Sequence, residues 1–176
     1  MSTTLVIGGC RSGKSSHALL MADRIGNAKK IFIATCIPRD DEMHQRVSRH
    51  QAERGAGWTA VETPIFLSKA IRDIGLSADV LLVDCLTLWV SNLMMEHTDF
   101  DASKELLAEH ILRLIESLHI AVCPVILVTN EVGAGIVPDN PLARAFRDAV
   151  GQVNQQIAAC ADQVIWMVAG IPVKIK

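Results

Sequence analysis

Tyrosine is missing from the chain, and aromatic residues are only 4% of it: four phenylalanines and three tryptophans among 176 residues. A surface of stacked aromatics, the usual platform for single-stranded nucleic acid, is therefore not expected. Excess positive charge is missing as well. Seventeen Lys and Arg stand against nineteen Asp and Glu, for a formal charge of −2, so duplex nucleic acid is not expected as a partner. No apolar run approaches the roughly 18 residues of a membrane span, and the polar opening Met1-Ser2-Thr3-Thr4 has no signal-peptide character. The five cysteines (Cys10, Cys36, Cys85, Cys123 and Cys160) never fall into a C-x-x-C pair. They read as reduced thiols of a cytoplasmic protein, not as a disulfide framework or zinc site.

What the chain does have is a large apolar fraction. Half of its residues are hydrophobic and 20% are charged, which suits one packed domain over residues 1–176. Short apolar runs at Leu5-Val6-Ile7, Ile31 to Thr35, Trp58 to Glu62, Val80 to Val83, Val125 to Thr129 and Val164 to Val168 read as strands. Between them lie helical stretches, at Lys14 to Ile25, Asp41 to Glu53, Ile65 to Ile74, Leu86 to Met95, Ala102 to Ile120 and Leu142 to Cys160. Segment 96–100 reads as a loop, and Ile171 to Ile175 as a short edge strand that tolerates Pro172. Strands alternating with helices predict an α/β fold with a mostly parallel sheet covered by helices on both faces.

Gly8-Gly9-Cys10-Arg11-Ser12-Gly13-Lys14-Ser15 fits G-x-x-x-x-G-K-[ST], and it sits after a strand and at the opening of a helix, as a phosphate loop must. Its glycines let backbone N–H groups turn toward phosphate oxygens, where the helix N-terminus adds partial positive charge. Lys14 would reach the β- and γ-phosphates, and the Ser15 hydroxyl would ligate Mg2+. Leu81-Leu82-Val83-Asp84 is an apolar strand ending in a carboxylate, which makes Asp84 the candidate second ligand of the metal. Phosphoryl transfer or nucleotide hydrolysis follows as the chemistry, but the loop does not select a substrate.

Of the six histidines, His50 stands apart. It shares a helix face with Met43, Arg46 and Val47, at the spacing i, i+3, i+4, i+7. A neutral imidazole beside an arginine could attack the α-phosphate of a nucleotide while the cation stabilises charge on the phosphoryl oxygens. From spacing alone, a half-buried helix histidine is the better reading. Downstream, Asn130-Glu131 closes a strand at the end where open α/β sheets place ligand contacts. Gly133 and Gly135 would free the next loop to close over a bulky substrate. Arg144 and Arg147, at i, i+3, could serve a phosphate or a subunit interface.

Taken together, these motifs resemble the bifunctional adenosylcobinamide kinase/adenosylcobinamide-phosphate guanylyltransferase family of coenzyme B12 biosynthesis, over essentially the whole chain. The likeness is carried by the phosphate loop, Asp41-Glu42-Met43 with Arg46 and His50, and Val128-Thr129-Asn130-Glu131-Val132-Gly133. It continues through Gly135-Ile136-Val137-Pro138, Leu142-Ala143-Arg144, Phe146-Arg147-Asp148 and the ending Val173-Lys174-Ile175-Lys176. The resemblance implies a recombinase-type P-loop NTPase fold and a ring-like homotrimer. It also implies two reactions: phosphorylation of adenosylcobinamide by ATP or GTP, then transfer of GMP from GTP through a guanylylated histidine to the cobinamide phosphate. His50 would be that histidine. Around the guanine nucleotide the resemblance places Gly8, Gly9, Cys10, Arg11, Ser12, Gly13, Lys14 and Ser15, together with Ala34, Thr35, Cys36, Gln51, Ala52, Glu53, Arg54, Glu62 and Asp84. Two other readings remain open from the residues themselves. One is a single-function small-molecule kinase in which His50 is structural, and the other is a recombinase-like ATPase switch.

Overall fold

The computed structural model describes residues 2–26, 28–38, 40–55, 57–96 and 100–176; the side chains at positions 46, 49, 50, 53 and 100–104 lie outside that description. The described strands are β1 (Thr3–Gly8), β2 (Lys30–Ala34), β3 (Trp58–Glu62), β4 (Val80–Asp84), β5 (Val125–Asn130), β6 (Gln163–Val168) and β7 (Ile171–Lys174). They form one sheet in the order β3-β2-β4-β5-β1-β6-β7. All neighbours run parallel except β7, which returns antiparallel along β6. The helices are α1 (Lys14–Ile25), α2 (Asp41–Arg54), α3 (Leu67–Gly75), α4 (Leu86–Met95), α5 (Phe100–Ile120) and α6 (Pro141–Cys160). The expected α/β class with a mostly parallel sheet is borne out. Element ends shift by one or two residues, as fraying ends do. Of the expected loop at 96–100, positions 97–99 lie outside the described residues.

Alternation along the central strands builds two cores. Leu5, Leu81, Val83, Val125 and Leu127 point to one face, where Trp89 and Leu93 of α4, Ile111 and Leu114 of α5, and Val153 and Ile157 of α6 meet them. Val6, Val80, Leu82, Ile126 and Val128 point to the other face, against Ala18 and Ala22 of α1. A central strand buried on both sides must be apolar at successive positions, which is why β4 and β5 read as continuous runs and not as alternations. The Trp89 indole enters the first core and still satisfies its N–H, which donates to the Ile65 carbonyl at 2.8 Å.

Among the described residues, side chains fix the starts of α2 and α6. Asp40 accepts from the Met43 N–H at 2.8 Å to open α2, and Asn140 accepts from the Leu142 N–H at 2.8 Å to open α6, with Pro141 in its first turn. By contrast, α1 starts at Gly13 (φ 86°) with no side-chain cap. Its first N–H groups have no side-chain acceptor, as at the starts of α3 and α4.

Candidate functional site

The phosphate loop leaves β1 at Gly8 and enters α1 at Lys14. Gly8 lies in a close approach between backbones. A Cβ there would stand 2.5 Å from Ser12 Oγ and 2.8 Å from the Met167 carbonyl oxygen of β6. Arg11 and Gly13 take positive φ, the turn closes with Ser12 N–H on the Gly9 carbonyl at 3.3 Å, and Gly170 N–H donates to the Ser12 carbonyl at 3.0 Å. Lys14 is buried, and its Nζ donates to the Gly9 carbonyl at 3.1 Å. The Ser12 hydroxyl is buried with no partner among the described residues. An orphan hydroxyl, an uncapped helix start and an enclosed lysine fit a polyphosphate placed in the loop.

Beside this loop, the carboxyl ends of β2, β3, β4 and β5 together with α2 enclose a cavity of about 210 Å3. Its wall includes Ala34, Cys36, Gln51, Arg54, Glu62 and Asp84, six of the residues that the resemblance assigns to the nucleotide. Met43 and Val47 line it from α2, so the stripe read from the sequence faces the cavity. Position 50 falls in the same helix, one turn after Val47 and one turn before Arg54; its side chain lies outside the described residues. The Arg54 guanidinium stacks on the Phe32 ring at 3.9 Å, with one nitrogen buried and without a partner among the described residues. Burial lowers its pKa, and the Asp84 carboxylate opposes that shift. Desolvation is the larger effect, as expected for a cation facing an apolar ring.

Thr35 and Asp84 show how the strand ends are locked. Thr35 Oγ1 donates to the Cys85 carbonyl at 2.7 Å and accepts from the Cys85 N–H at 2.9 Å, so its side chain turns into the sheet and does not line the cavity. The Asp84–Cys85 peptide is cis. Burial pushes the Cys85 thiol up to about 12, helped by Asp84 and opposed by the Leu88 backbone N–H, Lys14 and Thr87. That thiol therefore stays protonated and is no nucleophile at neutral pH.

The expected site residues thus fall into two neighbouring groups, the loop at 8–15 and the cavity wall. Ala52 is exposed on α2. The carboxyl and imidazole side chains at 53 and 50 lie outside the description. The Arg144 guanidinium donates to the Pro138 and Asp139 carbonyls at 3.0 and 2.7 Å, bracing the loop before α6. Cys85 and Asn130 also line the cavity, and Pro38, Leu88, Ala60 and Phe32 complete its wall without having been singled out from the sequence. A bare apolar residue carries no chemical signature, so only the packing could identify them.

A phosphate loop joining the first strand and helix of a parallel sheet, with an acidic strand end beside it, defines a P-loop nucleotide-binding enzyme. A solved ATPase domain has the same fold, with a TM-score of 0.53 over 94% of this chain and 68% of that chain at 12% identity. Residues 4–175 match the family described as "Cobinamide kinase / cobinamide phosphate guanyltransferase", and the chain belongs to that family. It is 42% identical to the bifunctional adenosylcobalamin biosynthesis protein CobU of Salmonella typhimurium, with 98% of each chain covered. The corresponding figure for CobU of Escherichia coli is 41%, again with 98% of each covered. For the bifunctional adenosylcobalamin biosynthesis protein CobP of Pseudomonas aeruginosa it is 38%, over 98% of this chain and 96% of that one.

Proposed function

We propose that this protein phosphorylates the hydroxyl of adenosylcobinamide's aminopropanol arm with ATP or GTP, and then converts the phosphate to adenosyl-GDP-cobinamide. In the second reaction the imidazole of His50 forms a bond to the α-phosphorus of GTP and pyrophosphate leaves. A phosphate oxygen of adenosylcobinamide phosphate then attacks the same phosphorus and releases the imidazole. The observation that carries this reading is the shared site. Six residues tied to the guanine nucleotide by the family resemblance line one cavity, closed by the helix that contains position 50, next to a phosphate loop. Incubation with GTP labelled on the α-phosphate tests it, since label must remain on the denatured protein and pass to added cobinamide phosphate. Neither of the other two readings retains label.

The loop amides and Lys14 hold the triphosphate in this scheme. The oxygen donors of Ser15 and Asp84 suit Mg2+, a hard ion that takes one or two protein oxygens and fills its shell with phosphate and water. When bound, the ion neutralises charge on the phosphates. Asp84→Asn is expected to lower the magnesium-dependent rate of both steps by about tenfold or more, while nucleotide affinity changes much less, because the backbone cradle remains. Rates that stay unchanged across a magnesium titration would reduce Asp84 to a strand-end residue. The same reading makes residues 1–176 one catalytic unit that works in the cytoplasm as a homotrimer. Among the described residues, no helix is long and apolar enough to cross a membrane.

A further inference from the structure

Beside the cavity, the side chains of Thr87, Thr129 and Asn154 close a ring of hydrogen bonds with the side chain and backbone of Asn130. Asn130 donates twice to Thr87 Oγ1, from its backbone N–H at 2.8 Å and from Nδ2 at 3.2 Å. The Thr87 and Thr129 hydroxyls are 3.3 Å apart. Thr129 Oγ1 donates to Asn154 Oδ1 at 2.7 Å, and Asn154 Nδ2 returns to the Asn130 carbonyl at 3.0 Å. A hydroxyl carries a single proton. That of Thr129 is committed to Asn154, whose Oδ1 can only accept. Thr129 has no proton left for Thr87, so the single Thr87 proton goes either to Thr129 Oγ1 or to the neighbouring Cys85 sulfur. In both cases the Thr87 oxygen is the acceptor for the two Asn130 donors, and the polarity around the ring is set at 130 to 87 and at 129 to 154 and back to 130.

This direction fixes the Asn130 carboxamide. Turned over, it would set Oδ1 against a Thr87 oxygen that has no proton to give. With Nδ2 held on Thr87, Oδ1 and the second Nδ2 hydrogen remain for the cavity that Asn130 lines. Among the described residues, no hydrogen bond of the Asn130 side chain other than that to Thr87 is seen. Burying Thr87, Thr129 and Asn154 costs desolvation that an apolar trio would avoid, so the ring is an expensive way merely to fill space. Its location gives it a use. Asn130 ends β5, with Gly8 of the phosphate loop as its register partner on β1, while two residues earlier Val128 pairs with Asp84 of β4. The carboxamide thus stands between the two elements that hold a triphosphate in the scheme above.

We infer that Asn130 is a catalytic residue of the kinase step, with Thr87, Thr129 and Asn154 as its positioning residues. Its outer Nδ2–H donates to an oxygen of the terminal phosphoryl group in transit, and Oδ1 accepts from the attacking alcohol. As the alcohol oxygen bonds to the γ-phosphorus, the bridging P–O bond breaks and the nucleoside diphosphate leaves with its electron pair. The alcohol proton is oriented by Oδ1, passes to a product phosphate oxygen, and is lost to water. This assignment rests on the kinase activity proposed above.

The test compares wild type, Asn130→Ala, Asn130→Asp, Thr87→Val and Thr87→Ser in two assays: nucleotide-dependent phosphorylation of adenosylcobinamide, and attachment of α-labelled GMP. Asn130→Ala and Asn130→Asp should each lower the kinase kcat about 10²- to 10³-fold, with the nucleotide KM moving only a few-fold. GMP attachment should fall far less, because it breaks the bond at the α-phosphorus. Thr87→Val should cost about tenfold or more in kinase kcat, since it frees the carboxamide to turn, and Thr87→Ser should restore most of it. A folded Asn130→Ala enzyme with near-wild-type kinase kcat overturns the inference. So does a parallel loss of both activities that tracks a lowered melting temperature, which would make the ring structural only. Absence of kinase activity in the wild type itself would instead sink the reading on which the inference depends.

Discussion

Lys14→Ala is expected to lower both cobinamide phosphorylation and GMP attachment by at least about a hundredfold, because one buried cation serves whichever triphosphate occupies the loop. Lys14 sits enclosed at the start of α1, where the helix has no side-chain cap and Gly13 carries the turn. Its ammonium donates to the Gly9 carbonyl, which holds it over the loop. Alanine removes the charge but leaves the backbone amides, so nucleotide still binds, more weakly and with its phosphates less well placed. Stability should change little. The lost hydrogen bond is worth about 1 kcal/mol, or a few degrees in a domain of this size, and Ala has the better helix propensity at that position. Parallel assays of the two reactions beside a thermal melt provide the check. If one reaction survived at the wild-type rate, the two steps would use separate phosphate sites.

The elements were legible because their causes are local. The apolar run of β4 has to be buried on both faces, and the glycine-rich turn with its following lysine can be read from spacing, whereas the Asp40 and Asn140 caps came only with the structure. Strand order was not legible. β5 lies between β4 and β1 although the two long helices α5 and α6 flank it in sequence, and no local pattern encodes which neighbour a doubly buried strand will take. The same limit hid the polar ring. Thr87 looks like an ordinary first-turn helix residue, Thr129 like a β-branched strand residue, and Asn154 like a polar position in a long helix. Their partners lie 24 to 43 residues away in sequence. The Met43 and Val47 stripe was legible as a stripe, but only the fold shows that it faces a cavity at the strand ends and not a packed core. Arg144 adds a local contact that spacing did not announce: one guanidinium nitrogen donates to carbonyls five and six residues earlier in the chain.

His50→Ala is expected to abolish GMP attachment and guanylyl transfer while leaving kinase activity within a few-fold of wild type. Phosphorylating an alcohol needs a positioned triphosphate and charge neutralisation, but no nucleophile from the protein. Guanylyl transfer through a covalent intermediate needs an imidazole in line with the α-phosphorus, opposite the departing pyrophosphate, and nothing else at position 50 can form that bond. The fold should tolerate the change, since α2 keeps its Asp40 cap and alanine is a stronger helix former than histidine. His44, exposed on the same helix, provides the control: His44→Ala should keep both activities. The wild-type adduct should behave as a phosphoramidate, cleaved by mild acid and comparatively stable in alkali, which separates it from a phosphoester on serine or threonine. Digestion of labelled protein should place the adduct on the peptide that contains position 50. Labelled GMP on the His50→Ala protein would move the nucleophile elsewhere. Loss of the adduct together with complete loss of kinase activity would show that the substitution disturbs a site used by both steps, and the division of labour between the phosphate loop and α2 would fail with it.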